Sequence, residues 1–166
     1  MRMLAALLVL PLCAPAALGR KKTSKPKPAI TTTASAPDSA EIRGGNQIIV
    51  HDVDGKARKA LVANAHEGLA ELALSPDRYW ATAMVTYPYD VLGADSVQNY
   101  RIVVHLPSGV RLDLEDFPRH FGVPCAVKDY GWKAGKTATL SVTCTDGGTA
   151  EVEMPAAGVP PLPAED

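Results

Sequence analysis

The chain reads as all-β, a small antiparallel β-sandwich of about seven short strands. Three features predict this: apolar and polar residues alternate with period two over most of residues 44–154, turn-forming glycines separate the alternating runs, and two cysteines are placed to staple a modest core. At 166 residues, with 46% hydrophobic and 21% charged, the chain suits one globular domain, and two independent domains would be cramped.

Residues 1–19 are set apart as a signal peptide. Arg2 supplies the positive start, Leu4 to Leu12 an apolar run, and Ala17-Leu18-Gly19 the small residues at which such leaders are cut. The run is too short to span a membrane, and Pro11 and Pro15 interrupt it, so no transmembrane span is expected. Leu10-Pro11-Leu12-Cys13 offers an alternative, a lipoprotein anchored through Cys13, although Leu12 is bulky where that signal needs a small residue.

Residues 20–43, rich in Lys, Pro, Thr and Ser, read as a flexible linker. Six basic and two acidic residues give it a charge near +4, against ten basic and sixteen acidic residues over 44–166. Its lysines have no aromatic neighbours on which bases would stack, so a nucleic-acid partner is not expected. The single β-rich domain is expected over 44–154, followed by a Pro-rich disordered tail over 155–166.

Within the domain, Ile48 to Val53 and Ala57 to Val62 flank Asp54-Gly55-Lys56 as a hairpin. Residues 57–74 carry a second reading, a short helix, because Leu61, Val62, Ala65, Leu69, Leu72 and Ala73 share one helical face. Arg78 to Tyr87 reads as a strand. Tyr100 to Leu106 and Val110 to Glu115 form a hairpin around Pro107-Ser108-Gly109. This pairs Leu106 with Val110, Val104 with Leu112 and Ile102 with Leu114, leaving Val103 on the polar side. A last hairpin turns at Asp146-Gly147-Gly148 and sets Cys144 against Ala150, Val142 against Val152 and Leu140 against Met154. After removal of the leader, Cys125 and Cys144 are the two cysteines left, and a disulfide between them is expected in an oxidising compartment, periplasmic or extracellular.

Ile48-Ile-Val-His-Asp-Val-Asp-Gly-Lys-Ala-Arg-Lys-Ala-Leu61, followed by Leu72-Ala-Leu-Ser-Pro-Asp-Arg-Tyr-Trp-Ala81, resembles one blade of TolB-type β-propellers over residues 47–87. Arg78 stands where that family has glycine, and two such units cannot close a propeller, so the resemblance implies local β-hairpins only.

Catalytic and metal motifs fail on spacing. His66-Glu67-Gly68-Leu69-Ala70 begins like a zinc-protease helix, but the second histidine is replaced by Ala70. His51, His105 and His120 fall on different elements, and Asp52-Val53-Asp54-Gly55 lacks the downstream glutamate of a calcium loop. No catalytic residue, metal or cofactor is assigned. Aromatic pairs suggest a ligand platform at Trp80, Tyr89 and Trp132. The leading expectation is an exported noncatalytic accessory domain that binds a protein partner. The alternatives are a module for cell-wall or other polysaccharide, with a glycan partner, and a small secreted hydrolase using a histidine and the acids near Asp113.

Overall fold

The computed structural model describes residues 35–91 and 94–162, with the backbone alone over 89–91 and 94–96. The stretch read as a leader, 1–19 with Cys13, and most of the stretch read as a linker lie outside the described residues. The fold is all-β, with ten strands in three antiparallel sheets and one short helix among the described residues.

Strands β1 (Ser39–Arg43), β2 (Gln47–His51) and β3 (Ala57–Val62) make the first sheet. β1 lies inside the stretch read as linker. Ile42 packs on the core and Asp38 donates its amide to the carbonyl of His51, so the folded domain already includes residue 38 rather than starting at 44. The central sheet holds β4 (Gly68–Leu74), β5 (Trp80–Val91), β6 (Ala94–His105) and β7 (Val110–Asp113) in that order. The third holds β8 (Val127–Trp132), β9 (Thr139–Cys144) and β10 (Thr149–Glu153), and α1 (Phe117–Phe121) precedes it. Residues 47–87 thus contribute two strands to the first sheet and two to the central one.

The helical reading of 57–74 gives way to two strands. A β-bulge between Ala70 and Ala73, with Glu71 at φ +52°, resets the alternation, so that Leu69 and Leu72 meet the same core although three residues apart. That spacing imitates a helix face.

The central sheet is buried on both sides. Ala81, Ala83, Val85, Ile102 and Val104 pack against Ile48, Val50 and Ala60 of the first sheet. Trp80, Val103 and Leu112 pack on the other side with Phe117, Tyr130, Leu140, Val142 and Met154. This corrects the register of the 100–116 hairpin. His105 pairs with Val110, Val103 with Leu112 and Ile102 with Asp113, one residue away from the sequence-based pairing. A strand apolar on both faces offers no alternation by which to choose a register. Gly109 then decides the turn: it has φ +71°, and a Cβ there would lie 2.3 Å from the carbonyl oxygen of Ala60, so only glycine fits.

The last hairpin is shifted by two residues, with Val142 opposite Ala150 and Leu140 opposite Val152. An even shift leaves every side chain on its expected face, and Cys144 is buried. Its disulfide to Cys125 is present, with Cα atoms 5.8 Å apart. The C-terminal stretch is not loose through residue 160: Val159 packs on the core, and Pro155, Ala156 and Pro160 accept side-chain hydrogen bonds from Trp80, His105 and His120.

Candidate functional site

Strands β5 and β6 are longer than their neighbours. They pair continuously from Trp80–His105 to Val91–Ala94, whereas β4 leaves β5 at Thr86 and β7 leaves β6 at Ile102. Beyond those points the two strands run on as a two-stranded arm. At about 3.3 Å per residue, its five last pairs reach roughly 17 Å past the sheet.

On the β7 side, β6 is open from Arg101 outward among the described residues. The ladder tells which backbone groups face that side. The carbonyl of His105 accepts from Gly109 on the β7 side, while the amide of Leu106 donates to Tyr79 on the β5 side. Strand alternation therefore turns the amides and carbonyls of Val103, Arg101, Asn99 and Val97 away from β5. Val103 meets β7; Arg101, Asn99 and Val97 have no strand beside them among the described residues. Val97 is 59% exposed.

Where β7 stops, the chain turns sharply, Asp116 donating its amide to the carbonyl of Asp113. This leaves a notch of about 440 Å³ between the open edge and the turn, lined by Gln98, Asn99, Tyr100 and the run Asp113 to Asp116. Glu115 and Asp116 are exposed and make no ion pair with any described residue.

One wall of the notch is held by a polar cluster. The guanidinium of Arg111 donates from Nη1 to Glu67 Oε2 at 2.8 Å, from Nη2 to Tyr100 Oη at 2.8 Å, and from Nε to Asp113 Oδ1 at 2.8 Å. Tyr100 Oη donates to Glu67 Oε1 at 2.7 Å, and the Asn64 amide donates to Glu67 Oε2 at 2.9 Å. The Glu67 side chain is only 6% exposed. Hydrogen bonds from Arg111, outweighing burial, hold its carboxyl down at about 2, while burial and the adjacent Glu67 carboxylate raise the Tyr100 hydroxyl. At neutral pH Glu67 is therefore a fixed anion with both oxygens occupied, suited to positioning Tyr100 and Arg111 rather than to exchanging protons.

The residues singled out from sequence do not assemble here. Trp80 is fully buried, its indole N–H bound to the Pro155 carbonyl at 3.0 Å, so it offers no exposed ring; this corrects its place in the ligand platform. Trp132 is partly buried on the same core, donating to the Ala73 carbonyl at 3.1 Å. The Tyr89 side chain lies outside the described residues. His51 stands 3.4 Å from Glu41, His105 is buried against Ser108 and the Ala156 carbonyl, and His120 donates to the Pro160 carbonyl, so the three do not meet. Among the described residues no group of three or more His, Cys, Asp or Glu is close enough to hold a metal ion. The sequence does not point to Glu67, Tyr100 and Arg111 as a group: Glu67 enters only in the failed zinc-protease motif, and separations of 33 and 44 residues leave no local pattern.

No family model matches the chain, and no curated protein or solved structure matches it.

Proposed function

We propose that this chain is an exported, noncatalytic module that binds a protein partner through the β5–β6 arm. The observation that carries the reading is the arm itself. An isolated two-stranded hairpin is marginal in water, so one that projects beyond its sheet with an exposed Val97 and open backbone edges is suited to being completed by another protein. The Cys125–Cys144 disulfide and the leader-like start support an exported location.

Replacing residues 88–97 with Asn-Gly joins Tyr87 to Gln98, already a cross-strand pair, through a two-residue turn. Tagged chains with and without the arm are cross-linked in the native host and purified. A partner recovered with the full arm and lost with the shortened one, at equal melting temperature, is the expected outcome. The same proteins recovered with both chains would refute it.

A further inference from the structure

We infer that the open edge of β6 receives an extended, lysine-rich segment of the partner, which adds to the central sheet as a fifth strand in the line that β7 vacates. The inference rests on the protein-binding reading above and specifies its mode.

Three observations converge on the notch. First, Val97, Asn99 and Arg101 aim backbone donors and acceptors at the open side, at the two-residue spacing an added strand requires. Second, the edge is pre-set. At its inner end the Tyr100 hydroxyl and Arg111 are held by Glu67, and Arg101 pairs with Met84 where β4 still flanks β5, so little ordering is left for binding there. Third, the floor is acidic. Asp113, Glu115 and Asp116 line the notch; Arg111 beside it is shared between Glu67 and Asp113, and Arg101 is held by Glu71 and Asp129, so Glu115 and Asp116 have no cation partner among the described residues. Lysines fit this better than acids, because a second row of carboxylates would meet like charge at close range. The cavity continues an unpaired edge, which suits a peptide rather than a compact small molecule.

A single edge amide serves as the control. The Asn99 amide points away from β5, so Asn99→Pro removes an edge donor without breaking the β5 ladder, as proline is tolerated at strand edges. The probe is an acetylated octapeptide of alternating lysine and threonine, titrated against the full mature chain at low salt. Three comparison peptides are used: glutamate in place of lysine, the same lysine peptide with alternate amides N-methylated, and a scrambled lysine peptide with central prolines.

Binding of the lysine–threonine peptide is expected, weakened at least about tenfold by N-methylation, by Asn99→Pro and by the paired charge reversal Glu115→Lys and Asp116→Lys. The charge-reversed chain keeps the inference testable if Asn99→Pro disturbs the fold, which its melting temperature reports. Equal binding of the N-methylated and prolyl peptides would show attraction by charge alone and overturn the inference. Binding seen only after removal of residues 20–34 would assign the notch to the chain's own lysines. Self-association abolished by Asn99→Pro would assign it to a second copy. Either overturns it. If no peptide binds yet arm-dependent capture of a native partner persists, this mode fails and the protein-binding reading stands; if capture is also absent, both fail.

Discussion

The indole N–H of Trp80 donates to the carbonyl oxygen of Pro155 at 3.0 Å, tying the first residue of the longest strand pair to the segment that follows β10. Two further bonds, from His105 to Ala156 and from His120 to Pro160, repeat the stitch along the same segment.

Ending the chain after Met154 is expected to uncover Trp80 and leave His105 without its acceptor. A loss of about 2–4 kcal/mol follows from the exposed apolar surface and the broken hydrogen bonds. The urea midpoint should fall and the tryptophan emission shift to the red. An unchanged midpoint would mean that the C-terminal stretch contributes nothing.

Val103→Asp and Val104→Asp are each expected to unfold the domain. Both valines are fully buried, on opposite faces of β6 and in different cores, and an unpaired carboxylate in either costs on the order of 4 kcal/mol or more. Far-ultraviolet circular dichroism and size exclusion report it. A folded Val103→Asp variant would return that residue to a solvent face.

The Glu67 carboxyl sits at about 2 in the folded chain, against an ordinary value of 4.5. The depressed value means that the unfolded chain takes up the proton more readily. Its contribution, up to about 3 kcal/mol, is therefore complete above pH 4.5 and is lost as pH falls toward 2. Glu67→Gln should lower stability at pH 7 by roughly 2–3 kcal/mol and flatten the acid limb of the stability curve over that window. Parallel acid limbs for the two proteins would rule out the ion pair as a stabilising element.

Breaking the Cys125–Cys144 bond, by reduction or by alanine at both positions, should cost about 2–4 kcal/mol on the chain-entropy account for a loop of this size. Alkylation of the native mature protein should find no free thiol. Two alkylated cysteines before any reduction would contradict the structure.

How much of this was legible in the sequence depended on whether a strand had a solvent face. The 139–154 hairpin does, and although its turn was placed one residue late and its pairing two residues off, Leu140, Val142 and Cys144 fell on the correct side. β6 has none, so its register could not be read from Ile102, Val103 and Val104, which are equally apolar and equally buried. The bulge at Glu71 disguised a strand as a helix because a single left-handed residue changes the period locally. At the candidate site the legible part was the acid run from Asp113. Its meaning was not, because the open edge exists only through the unequal lengths of β6 and β7, and the Glu67–Tyr100–Arg111 cluster only through the stacking of residues from separate hairpins.

The two strands that form the arm are also the two that run through the middle of the molecule. A tug on the arm along its length is therefore carried into the central sheet as shear. The hydrogen bonds to β4 and β7 lie across the direction of pull and resist together, instead of opening one after another as they would in a peeling hairpin. A partner holding the arm would have a grip on the interior, and the domain would behave under tension as a mechanical anchor rather than as a loop that lets go.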